Sequence, residues 1–289
     1  MNRSLVGSVV LGCLGGFLNV VLTLGMLTHV NSPLFEPGNP TSLNAVFVGS
    51  VLETPQIWIG VFALGFVPVV VTAATRLVAP AGGLGLLLGG VVSLVLTAPA
   101  PEAVMGPTEL FIEGPVYASS YAKSWYAWLS LLIVAGVAEF TLRSEYGFGD
   151  DRLRHLPDFL PSRSRSWLTL CSAGFVVGLG VGLLDLPNYV QTDVSTVCFV
   201  LVPTGVATAA MLAGLRFSGL VAPLTLYAVA APAIVAATVF PSSPAPEGPH
   251  PGLSFLYLSA AVFVLALLEL AIRSAQDREL TETVADRRR

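Results

Sequence analysis

The chain carries little charge. Only 11% of its 289 residues are Asp, Glu, Lys or Arg, against about 25% in a soluble domain, so an ordinary soluble protein is excluded. Disorder is excluded too, because a chain that is 54% apolar has ample surface to bury. Lysine is almost missing: Lys123 stands alone beside thirteen arginines. That bias fits a GC-rich genome, and acid-rich loops fit a high-salt, halophilic habitat, where dense screening makes negative surfaces tolerable.

Cysteine is scarce. Cys13, Cys171 and Cys198 each lie inside an apolar run, and no two stand at metal-ligand spacing. A disulfide framework is excluded, and the three read as small buried apolar residues. Catalytic signatures are missing as well. There is no His-Glu-x-x-His, no Gly-x-Ser-x-Gly and no phosphate-binding glycine loop. His29 and His250 would need Glu36 or Glu247 to complete a zinc site, and nothing in the spacing asks for it. No cofactor, metal or nucleic-acid partner is implied, since membrane topology accounts for the arginines.

What is present is long apolar runs. Mean hydropathy is +0.77, and a bilayer's hydrocarbon core of ~30 Å takes about 20 apolar residues to cross. Eight segments qualify, at 5–29, 57–77, 81–98, 125–143, 167–186, 195–215, 218–240 and 253–273. The first is longer than the ~7–15 apolar residues of a secretory signal and reads as a retained helix. With eight crossings all thirteen arginines fall on one side and Lys123 on the other, so the arginine side is cytoplasmic and carries both termini. The opposite loops hold Glu36, Glu53, Glu102, Glu109, Glu113, Asp185, Asp193 and Glu247. The expected fold is an all-α, polytopic integral membrane bundle of eight transmembrane helices in the plasma membrane.

Trp58, Trp125, Tyr126, Trp128 and Trp167 sit at expected helix ends, as an interfacial belt requires. The outer segment 99–124 is expected to dip Phe111, Tyr117 and Tyr121 into the headgroup layer rather than fold back as a cap. A short interfacial stretch is expected at 153–159. The basic end of the tail reads as an orientation signal, with affinity for anionic headgroups as the sharper reading.

The fourth and eighth segments align at an offset of 130 residues. Glu139-Phe140-Thr141-Leu142-Arg143-Ser144 matches Glu269-Leu270-Ala271-Ile272-Arg273-Ser274. Weaker matches link Cys13–Phe17 with Cys171–Phe175, and Val67-Pro68 with Val202-Pro203. These predict two parallel four-helix repeats, 1–146 and 166–276, joined by a linker at 147–165 and followed by a charged tail at 277–289. Glycine ladders (Gly12 and Gly16; Gly85 and Gly89; Gly174, Gly178 and Gly182) predict close helix packing. Pro68, Pro203, Pro223 and Pro232 are expected inside helices, where each would kink the backbone.

Charge inside a membrane costs roughly 2.5–3.5 kcal/mol on insertion scales, which makes Glu139 and Glu269 the candidate binding residues, with Arg143 and Arg273 four residues on. One reading is two ion pairs anchoring helix ends. The sharper one has a pseudo-twofold axis bring both carboxylates together to bind a cation or carry a proton. Asn19, deep in the first segment, could bond a neighbouring helix or a substrate. Three function classes follow. The first is a non-catalytic membrane component (subunit, scaffold or sensor) with the lipid bilayer and other membrane subunits as partners. The second is a permease for a small solute or ion, and an intramembrane enzyme ranks last.

Overall fold

A computed structural model of the chain describes residues 3–30, 53–99, 102–105, 110–113, 117–146, 163–184, 194–240 and 250–286. The linker with its expected stretch at 153–159, most of the first outer loop and the final three arginines lie outside these residues. Nine helices are described: α1 (Arg3–Val30), α2 (Glu53–Thr75), α3 (Ala79–Thr97), α4 (Tyr117–Lys123), α5 (Trp125–Tyr146), α6 (Arg163–Gly182), α7 (Val194–Ser218), α8 (Ala222–Val239) and α9 (Pro251–Asp286). Two four-residue strands, Glu102–Met105 and Leu110–Glu113, pair antiparallel ahead of α4.

All eight expected segments are helices, but they are not equal. Seven are long and apolar enough to cross a membrane, by length and composition. In the eighth, α6, the apolar part is Ser166–Gly182, 17 residues, short of the ~20 that a crossing takes. The surface agrees with a lipid solvent. Leu14, Phe17, Leu18 and Val21 on α1 and Val264, Leu267 and Leu268 on α9 are all more than half exposed. A row of large apolar side chains turned outward is stable only against hydrocarbon. The protein is therefore a multi-pass, membrane-type helical protein.

Glycine sets the helix pairs. On α1, a methyl group added at Gly15 would lie 3.0 Å from the carbonyl oxygen of Gly65 on α2, and one at Gly65 would lie 2.5 Å from that of Gly15. The same crossing recurs between α6 and α7, where a methyl group added at Gly174 would lie 2.6 Å from the Gly205 carbonyl oxygen and one at Gly178 would lie 2.5 Å from that of Leu201. Backbones this close gain van der Waals contact that a side chain would forbid. The third ladder behaves otherwise. Gly85 and Gly89 on α3 have nothing within 4 Å, so the expected packing is absent there and these glycines face outward. Small-residue spacing marks a smooth face and does not say whether a partner lies on it.

Three further expectations are corrected. Pro223 does not sit inside a helix; it occupies the first turn of α8, as Pro80 does in α3. Proline is welcome there because the first-turn N–H has no helical acceptor. Segment 99–124 does not simply dip into the headgroups. Its helix α4 packs into the bundle, with Ala118, Tyr121 and Ala122 buried and the Tyr117 ring 5.9 Å from Phe240 of α8. The cysteines also differ from expectation, since Cys171 and Cys198 are exposed on the outer, lipid-type surface.

Candidate functional site

The helix ends carrying arginine meet at one end of the bundle. Trp167 near the start of α6 packs on Phe217 near the end of α7, with ring centroids 4.9 Å apart. The Tyr146 hydroxyl at the end of α5 donates to the Gly219 carbonyl in the α7–α8 turn. Arg273 on α9 donates to the carbonyls of Ser218 at 3.0 Å and Gly219 at 2.8 Å. At the opposite end the Tyr126 hydroxyl donates to the Leu183 carbonyl at 3.1 Å, joining the start of α5 to the end of α6.

Both candidate glutamates lie at the arginine end, and each does the same thing. The Ala79 N–H, at the start of α3, donates to Glu139 Oε2 at 2.6 Å, while Arg143 holds Oε1. The Val221 and Ala222 N–H groups, at the start of α8, donate to Glu269 at 3.3 and 3.0 Å, and Arg273 holds Oε1 at 2.5 Å. Neither α3 nor α8 has a side-chain cap from its own N-cap residue. Glu139 of α5 and Glu269 of α9 supply it instead. A carboxylate is well placed there, because orphan N–H groups and the helix dipole both attract negative charge. A glutamate four residues before its arginine is also the favoured order for an ion pair along one helix.

The match extends to the turns. Arg76-Leu77-Val78-Ala79-Pro80 precedes α3 and Gly219-Leu220-Val221-Ala222-Pro223 precedes α8. Arg76 and Gly219 both have φ of 63°, the left-handed conformation that ends a helix. Their N–H groups donate back to the Thr72 and Leu215 carbonyls. The sequence comparison above missed this Leu-Val-Ala-Pro repeat, which lies at an offset of 143 residues and stands in plain view.

The two clasps share no residue. Glu139 is held by Ala79 and Arg143; Glu269 is held by Val221, Ala222 and Arg273. Tyr146 of α5 bonds the same α7–α8 turn that Arg273 holds. The five candidate residues therefore form two clasps and one separate site, Asn19. Asn19 is 1% exposed. Its amide donates to the Val61 carbonyl at 2.7 Å, its Oδ1 accepts from the Tyr121 hydroxyl at 2.8 Å, and its carbonyl accepts from Thr23. Burial pushes the Tyr121 phenol well above its ordinary value, with the bond to Asn19 opposing that rise. A second buried pair, Thr208 and Tyr227, joins α7 to α8 at 2.5 Å.

No group of three His, Cys, Asp or Glu that could hold a metal ion occurs among the described residues. His250 is used at the start of α9, where its Nδ1 accepts from the Gly252 N–H at 3.1 Å. His155, Glu36 and Glu247 lie outside the described residues. No known protein family, characterised protein or solved structure matches the chain.

Proposed function

We propose that the protein is a non-catalytic component of the plasma membrane, a subunit, scaffold or sensor, that crosses the bilayer eight times with both termini in the cytoplasm. In this reading it is built from two parallel four-helix repeats, 1–146 and 166–276, and α6 completes the eighth crossing with the help of the turn at 183–184. The repeat rests on three paired features: the glycine crossings, the left-handed Leu-Val-Ala-Pro turns and the glutamate clasps.

One observation carries the functional reading. Both membrane-end glutamates are engaged by helix N–H groups and an arginine, and Asn19 is bonded on both sides of its amide. A carboxylate held this way has little left to offer a cation, because helix N–H groups and a guanidinium already occupy its oxygens. The alternative is a small-solute or ion permease, favoured by the two matched halves.

Purified protein in vesicles containing a pH-sensitive dye separates the two. The expected outcome is equal proton leak and equal solute uptake for the native protein and for Glu139→Gln with Glu269→Gln. Uptake or proton flux that the double substitution abolishes, in protein that keeps its melting temperature, would replace the component reading with the permease.

A further inference from the structure

Between α3 and α8, floored by α5, runs a cleft of about 520 Å³. That volume falls inside the ~300–1,000 Å³ of small-molecule sites. Its walls include Gly90 and Leu94 of α3, Leu131 and Trp128 of α5, and Ala233 and Phe240 of α8. Among all the lining side chains only Trp128 carries a polar atom, and its indole N–H donates to Ser124 at 3.0 Å. All three helices are candidate membrane spans. One end is marked by the Trp128 and Phe240 rings, stacked 6.0 Å apart at 15°.

Three features decide what fills it. Water needs about 2–4 polar partners to settle in a cavity, and no side chain in these mostly apolar walls has a polar atom to spare. Left empty, the walls would forfeit their dispersion contacts on that side. The lips are continuous with the lipid-type surface: Leu86, which lines the cleft, is 81% exposed, and Val229 beside it on α8 is 74% exposed. Gly90 leaves open space where a side chain would stand. We propose that this cleft is a binding site for one hydrocarbon chain of a bilayer lipid, entering sideways from the membrane and lying along α5 between the third helices of the two halves. The proposal needs only the membrane setting and holds for either functional reading.

The test places full-length protein in phosphatidylcholine vesicles whose acyl chains carry bromine, which quenches tryptophan emission on contact. Trp128 is 5% exposed, whereas Trp167 is 44% exposed and serves as the control for ordinary lipid contact. The Trp128 signal is the emission lost on Trp128→Phe, or the emission that remains when Trp58, Trp125 and Trp167 are replaced by Phe. The expected result is quenching of Trp128 comparable to that of Trp167, relieved by Gly90→Leu and by Ala233→Leu. An unquenched Trp128 in the otherwise native protein overturns the proposal without any cleft variant. Quenching that persists in both filled variants overturns it as well.

Discussion

Arginine at a left-handed φ is unusual, because the Cβ of an L-residue crowds the backbone there. The two turns form a natural control. Arg76 and Gly219 hold the same φ, but only Gly219 lies under a partner, with the Tyr146 hydroxyl 3.2 Å from where a Cβ would stand. Arg76→Gly is expected to leave stability unchanged or raise it by up to about 1 kcal/mol, as strain relief offsets added chain freedom. Gly219→Ala is expected to cost about 1–3 kcal/mol, because it strains the backbone and displaces Tyr146. Thermal unfolding in detergent measures both. Asn19 and Tyr121 give a pH prediction. Tyr121 keeps its proton in the fold at pH values where the unfolded chain loses it. Stability is therefore complete below the ordinary tyrosine value of about 10 and falls as pH rises above it. Tyr121→Phe is expected to remove that alkaline loss while costing roughly 1 kcal/mol at neutral pH, where Asn19 Oδ1 is left without its donor. Melting temperature followed from pH 8 upward reads both effects. Asn19 was legible as a polar residue in an apolar run, but its partner lies 102 residues away, and no local pattern announces such a pair.

At the scale of helices, the apolar runs gave away nearly everything, because a span must be long and continuous to cross hydrocarbon. What they could not give was α4. Seven residues reading Tyr-Ala-Ser-Ser-Tyr-Ala-Lys are too few and too mixed to show a period, and their helix forms because the bundle buries one face of it. Helix ends were legible where proline opens a turn, at Pro80, and were misread at Pro223, where the same signal was taken for an interior kink. The clasps were half legible: the Glu-x-x-x-Arg spacing fixed each ion pair, but the capped helix start lies 60 residues from Glu139 and 47 from Glu269. Glycines divide by their neighbours. Gly174→Leu is expected to force α6 from α7 and cost at least about 3 kcal/mol, in line with overpacking against rigid backbone. Gly89→Leu on the open face of α3 is expected to shift stability by less than about 1 kcal/mol, its gain in helix propensity included. Detergent melting of the two variants side by side checks the contrast.

For the molecule as a whole, the arginine count was the most informative line of the sequence. One lysine against thirteen arginines is the basis for expecting an even number of crossings, and the structure gathers Arg76, Arg143, Arg216 and Arg273 at helix ends that touch one another. The expectation that follows is specific. Reporter enzymes that are active on one side of the membrane only, fused in turn to Met1 and to Arg289, are expected to report the same compartment. Opposite compartments would leave α6 outside the bilayer and reduce the crossings to seven. The paired features behind the proposed repeat were only partly legible, because their matches sit at different offsets along the chain and no single ungapped comparison collects them.

α9 runs unbroken for 36 residues, from Pro251 to Asp286, while its apolar span stops at Gln276. Ten more residues at 1.5 Å each carry the rod ~15 Å past the hydrocarbon. Helix α9 thus continues beyond its apolar span as a stiff rod as far as Asp286. The last turn of that rod stands at a set height beyond the headgroups, within reach of their charge and out of reach of the lipid tails.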